Sequence, residues 1–196
     1  IASRLRVDLG DGDDELVLTE SNVDKPTRLS PGAGNDTLTL DDNVFGTPVR
    51  VKDEGGGARL DATNDEFRKG LKWKSGDGND FVQISGGMLG GKLNISTGGG
   101  GDDVFVAGAT TLARGGTVKG GDDNDVLVVA GVTADKKLKL LGQDGNDAIN
   151  VFTSVFAKGL LVHGGAGIDS KAPADIEAGN TFNGGKYVEK SIEGED

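Results

Sequence analysis

A short stretch, Gly76-Asp77-Gly78-Asn79-Asp80 with the alternating apolar residues Val82 and Ile84 behind it, recurs along most of the chain. Its spacing limits the fold more than any other feature. Taking the last Asp of each copy as the anchor gives Asp14, Asp36, Asp80, Asp103, Asp125, Asp147 and Asp169, with steps of 22, 44, 23, 22, 22 and 22 residues. The double step contains a degenerate copy, Gly55-Gly56-Gly57-Ala58, in which Ala58 stands at the Asp position. The period thus runs through eight units with one inserted residue, placed by this register near residues 98–101. A repeat of this length is the sequence signature of a solenoid, in which each coil contacts only its neighbours.

Counting from the anchors shows what each coil buries. Nine and seven residues before the anchor stand pairs such as Leu5/Val7, Val49/Val51, Leu71/Trp73, Leu138/Leu140 and Leu160/Val162, with Leu93/Ile95 joining after a one-place shift. Two and four residues after it stand Leu16/Leu18, Leu38/Leu40, Val82/Ile84, Phe105/Ala107, Leu127/Val129 and Ile149/Val151. Both sets alternate with the period of two that marks the inward face of a strand. A further column, Val23, Phe45, Phe67, Leu89, Leu112, Ala134 and Phe156, lies nine residues after the anchor. Stacked at about 4.8 Å per coil, eight such coils make a rod on the order of 40 Å long. The expected fold is therefore all-β: a parallel β-helix or β-roll solenoid of about eight 22-residue coils, with two clear strands and a short third in each. Right-handed coiling is the default for parallel connections. Trp73 falls in an inward column and reads as core.

Composition agrees with a narrow stack. Only 5% of the residues are aromatic and 35 of the 196 are Gly, too few large side chains for a broad core but enough glycine for tight corners. The formal charge of −11 disfavours nucleic acid as a general partner and suits cation binding or solubility by self-repulsion. Cysteine is absent, which excludes thiol nucleophiles and thiolate metal sites. No run of apolar residues is long enough for a membrane-spanning helix, so no membrane insertion is expected. After Asp169 the register decays, with Lys171 and Pro173 at inward positions; residues 1–173 read as the repeats and 174–196 as a capping tail. The abrupt start of the pattern at Leu5, without a leading Met, reads as a piece of a longer or processed protein.

The Gly-Asp-Gly-Asn-Asp stretch carries the chemistry. Glycine, and to a lesser degree Asn, permits the positive φ of a tight corner. Carboxylates stacked on successive coils repel one another unless they are protonated, hydrogen-bonded or bridged by a cation. Residues 75–83 fit Gly-Gly-x-Gly-x-Asp-x-apolar-x except for Ser75, and residues 120–128 fit it except for Asp123 at the middle glycine. This pattern resembles the RTX, or haemolysin-type, calcium-binding nonapeptide. The resemblance implies calcium held between stacked turns, with Asp14, Asp36, Asp80, Asp103, Asp125, Asp147 and Asp169 as ligands. The chain departs from that family in having one motif per 22-residue coil, which leaves one calcium edge, and Ala58 interrupts the row. The alternative is that these Asp and Asn side chains only hydrogen-bond their own corners.

Two outward features remain. Arg6, Arg28, Arg50 and Lys72, with Lys52 and Lys74 two places on, form a basic strip that reads either as a solvated sheet face or as a docking site for an anionic polysaccharide. Phe81, Val104, Val106, Val126, Val128 and Ala148 read as an outward apolar strip that a protein domain, the tail or a second copy would cover. The one His and the absence of a defensible catalytic spacing point away from an enzyme. The expected role is a non-enzymatic, calcium-binding structural repeat of an extracellular or cell-surface bacterial protein, such as an adhesin stalk or carrier region. A polysaccharide-binding solenoid and a metal-free spacer are the alternatives.

Overall fold

The computed structural model describes residues 4–173, 176–184 and 186–192. Three parallel sheets of nine, eight and eight strands run the length of a β-solenoid, and every strand pairs with its counterparts one coil away. The first sheet begins with Leu5–Asp11 and ends with Tyr187–Lys190, and the second runs from Glu15–Thr19 to Ser170–Ala172. The third consists of two-residue strands from Asn22–Val23 to Thr181–Phe182. It is the short third strand expected from the column nine residues past the anchor.

Alternation within each strand sets the core. Leu71 and Trp73, Val82 and Ile84, and Leu89 are at most 1% exposed, whereas Lys72 and Lys74 between them face solvent. Side chains of one column meet their equivalents one coil away, so the apolar surface is removed from water continuously along the axis. In the third column the Phe45 and Phe67 rings stack at 5.2 Å and 4°. Trp73 is fully buried, and its indole N–H donates to Ser75 Oγ at 2.9 Å, satisfying the one polar atom it brings into the core.

The observed register corrects the alignment in one coil. Phe81 pairs with Asp103 and Asp103 with Val126, so Asp102 and not Asp103 occupies the anchor column. The inward residues of that strand are Val104 and Val106, each 1% exposed, while Phe105 and Ala107 turn outward. Val104 and Val106 are therefore core and not part of an outward strip. The inserted residue lies past Ala107, because Ser85 pairs with Ala107 but Met88 with Thr111. The physical reason is that residues 104–107 are apolar on both faces, so alternation alone is indifferent to a one-residue slip.

At the C-terminal end the second sheet stops and a helical turn, Ile176–Gly179, takes its place. Ile176 is fully buried there, and Lys171 at its inward position is paired with Glu189 at 2.7 Å. The segments Thr181–Phe182 and Tyr187–Lys190 extend the third and first sheets by one strand each.

A buried carboxyl column as the candidate functional site

The corner between the first and second sheets is built by the repeated motif. At its middle glycine φ is positive, +136° at Gly78, and a Cβ there would lie 2.1 Å from the Gly56 carbonyl oxygen of the preceding coil. Glycine is required both for the conformation and for the close approach. The Asn that follows reaches forward along the axis: the side-chain oxygens of Asn79, Asn124 and Asn146 accept the N–H of Gly101, Asn146 and Ile168 at 3.1, 2.7 and 2.7 Å.

The anchor Asp reaches the other way. Oδ1 of Asp36, Asp80, Asp102, Asp125, Asp147 and Asp169 accepts the backbone N–H of the anchor residue in the preceding coil at 2.7–2.9 Å. In the coils of Asn79-Asp80, Asn124-Asp125 and Asn146-Asp147 the dipeptide thus stitches its coil to both neighbours. These six carboxyls are at most 3% exposed, and Asp14, in the first coil, is half-buried. In all seven the second oxygen, Oδ2, is buried and without a hydrogen-bond partner. Six of the seven residues expected at this edge, Asp14, Asp36, Asp80, Asp125, Asp147 and Asp169, do form one column. Asp103 instead sits on the outer face of the second sheet.

From Asp80 onward, space for the carboxyl comes from a small residue five positions earlier. At Gly120, Gly142 and Gly164 a Cβ would lie only 1.9–2.0 Å from Oδ2 of Asp125, Asp147 and Asp169. The equivalent positions hold Ser75 and Thr97 in two other coils. In the Ala58 coil the arrangement is reversed. Ala58 leaves the volume empty, and the residue five places before it is Asp53, which is 3% exposed with both carboxyl oxygens unpartnered. Asp53 is close enough to interact electrostatically with Asp36 and Asp80. The row of carboxyls therefore passes through the Ala58 coil without a gap, because the carboxyl position and the small position have exchanged. The signal for Asp53 in the sequence is its inward parity behind Val49 and Val51, together with the small residue five places before each anchor from Asp80 onward.

Burial dominates the electrostatics. It pushes Asp80 up to about 7 against the opposing bond from Ala58 N–H and the nearby Ser75 hydroxyl, with the neighbouring Asp102 and Asp53 charges adding to the rise. Asp125 is likewise raised to about 7 and Asp102 to about 6, each chiefly by burial. Asp147 and Asp53 are raised for the same reason, the Asp53 rise holding although the Glu54 and Gly55 N–H groups oppose it. A column of low-dielectric carboxyls favours the uncharged form.

As for calcium, an ion with bonds of about 2.3–2.6 Å fits between two Oδ2 atoms one coil apart, since coils are spaced by about 4.8 Å. Calcium also asks for six to eight oxygens. Here Oδ1 is occupied by a backbone N–H in each coil, and no group of three or more carboxylate or imidazole side chains placed to hold a metal forms among the described residues. The donor set is therefore only partly suited to calcium.

The basic strip lies on the outer face of the first sheet, where Arg6, Arg28, Arg50 and Lys72 pair side by side across successive coils. Lys52 and Lys74 pair in the neighbouring outward column. Arg6 and Lys52 are partly neutralised by Asp8 at 3.0 Å and Glu54 at 2.8 Å. On the second sheet, Phe81 and Phe105 are half-buried and tilted together at 5.5 Å, and the Arg59 guanidinium lies 4.0 Å above the Phe81 ring. The apolar strip is thus Phe81, Phe105, Val126, Val128 and Ala148, already half covered by its own neighbours.

Comparison with protein-family models, with curated proteins and with solved structures gives no match for this chain.

Proposed function

We propose that this chain is a non-enzymatic structural repeat module, a stiff spacer or stalk segment, in which backbone ladders and corner side chains hold the coils together and protons neutralise the buried carboxyls. The observation that carries this reading is the Asp column itself: Oδ1 of six anchor carboxyls is spent on stitching one coil to the next, and burial favours the neutral acid. Placement in a secreted or cell-surface protein rests on the RTX resemblance alone. No enzyme role is proposed: the six most buried anchor carboxyls lie inside the corner, where a substrate does not reach.

Calcium is the second reading, favoured by the unpartnered Oδ2 atoms repeated at the coil spacing. Asp80, Asp102, Asp125, Asp147 and Asp169 would hold it, and the ion would supply the charge that protons otherwise provide. Thermal melts at pH 7.5 in EDTA and in millimolar calcium separate the two. The proton reading expects the same Tm in both. A calcium-dependent rise on the order of 10 °C or more would replace it with the metal reading.

A further inference from the structure

The positive charge of this acidic protein is concentrated on one side. Of its 21 Lys and Arg residues, only Arg59 and Lys171 lie away from the first sheet's outer face and the corner that leads into it, where Arg68 is paired with Glu66. The strip does not end at Lys72. Its column continues through Asn94 and Thr117 to Lys139. Asn94 and Thr117, with Gly90 and Gly116 beside them, are short where their neighbours are long, so the face is hollowed there into an open groove of about 720 Å³. Lys92, Arg114, Lys136, Lys137 and Lys139 wall it, and all five are exposed. None of them enters an ion pair among the described residues, unlike Arg6 and Lys52 further up the strip.

We propose that this groove binds a linear acidic polysaccharide, one carrying a carboxylate or sulfate on successive sugars. It goes beyond the spacer reading and does not depend on it. The five unpaired cations supply the anion sites, and Asn94 and Thr117 on the floor supply donors and acceptors for the neutral hydroxyls between them. The spacing agrees: cations on successive coils recur at about 4.8 Å, a pitch suited to one charge per sugar. Duplex nucleic acid carries one charge per roughly 1.7 Å and would bring far more charge than the groove can match. No aromatic side chain lines the groove, so the stacking that holds single strands has no platform. A smaller groove shares Lys92 and Asn94 and reaches Arg50 and Lys72, so the path continues towards the first coils.

The test is fluorescence anisotropy with a labelled oligogalacturonate and a labelled heparin-type oligosaccharide, at low and high salt, with dextran oligosaccharide and single-stranded DNA as comparators. The native chain is expected to bind at least one acidic oligosaccharide, more weakly as salt rises, and to leave dextran unbound. The combination K92E, R114E and K137E should weaken that binding by about tenfold or more. R59E, on the outer face of the second sheet, should not. Because the groove side chains are exposed, circular dichroism should be unchanged, and K92Q, R114Q and K137Q together should give an intermediate loss. The proposal is overturned if neither acidic oligosaccharide binds, if dextran or DNA binds as tightly, or if the K92E/R114E/K137E chain binds like the native one.

Discussion

Each coil turns two comparable corners, and they solve the same problem with different chemistry. Between the second and third sheets the corner column reads Ser21, Asn43, Asp65, Gly87, Thr110, Val132, Ser154 and Asn180 along the axis. There Asn43 Oδ1 accepts Ser21 N–H at 2.9 Å, Asp65 Oδ1 accepts Asn43 N–H at 2.8 Å and Asn180 Oδ1 accepts Ser154 N–H at 2.7 Å. A neutral amide or hydroxyl closes this corner through Asn43, Ser154 and Asn180, Gly87 and Val132 supply no side-chain oxygen, and Asp65 is the one acid of the column, buried with Oδ2 unpartnered and raised to about 6 chiefly by burial. At the other corner an acid accepts the N–H of the preceding coil in six coils, Asp14 stands at the same position in the first coil, and in the Ala58 coil an acid, Asp53, stands five places earlier. The geometry needs Oδ1 alone. The second corner has a surplus carboxyl oxygen once, at Asp65, whereas the Asp column repeats it from coil to coil, and that repetition makes the column the place where solution conditions chiefly act on the rod.

The exchange of Asp53 and Ala58 offers the largest effect with which to break this comparison. Gly142→Asp places a carboxyl where Asp147 Oδ2 already lies, and Asp147→Ala empties that volume. Gly142→Asp alone should cost at least about 3 kcal/mol by overpacking and a second buried acid, and Asp147→Ala alone about 1–3 kcal/mol. The double variant rebuilds the Asp53/Ala58 arrangement and should recover at least about 1 kcal/mol relative to the sum, read by urea melts as a double-mutant cycle. Additive losses would show that the two positions do not share one space.

Next in size is the contrast between truncation and neutralisation. Asp125→Ala removes the acceptor for Asp102 N–H and should cost about 1–3 kcal/mol at pH 7.5. Asp125→Asn keeps an oxygen there and removes the charge, so in the absence of calcium it should be as stable as the native chain or more so at pH 8. A loss equal to that of the Ala variant would mean that the carboxylate itself is needed. The second corner gives the smallest effect: Ser154→Ala removes the acceptor for Val132 N–H and should cost about 1 kcal/mol, by the same amount at pH 5 and pH 8. A pH-dependent loss there would remove the distinction between the corners.

How much of this was legible in the sequence follows from which signals repeat. The inward columns and the corner were readable because a period of two within each strand and a period of 22 between strands agree at positions such as Leu71, Val82 and Leu89. The anchor at Asp103 was misplaced because Asp102 and Asp103 are chemically alike and Val104, Phe105, Val106 and Ala107 are apolar on both faces. The second corner went unread because its residue types vary, although each lies two places before the third apolar column, as Asn43 does before Phe45 and Ser154 before Phe156. Asp53 was hidden because only contact between positions five apart reveals it, and the groove at Asn94 and Thr117 because it is formed by short side chains rather than by a motif.

The central claim is that the Asp column is neutralised by protons on folding, and the pH dependence of Tm tests it most directly. Unfolded, these carboxyls titrate near their ordinary value of 3.8; folded, burial holds Asp80 and Asp125 at about 7 and Asp102 at about 6. The folded chain then binds more protons than the unfolded one between those values, so stability is full below the unfolded value and is lost as pH rises towards about 7. In EDTA, Tm measured from pH 5 to pH 8 should fall by about 5 °C or more, and the fall should shrink when Asp80, Asp102 and Asp125 are replaced together by Asn. A Tm that stays level or rises over that range in EDTA would contradict the account.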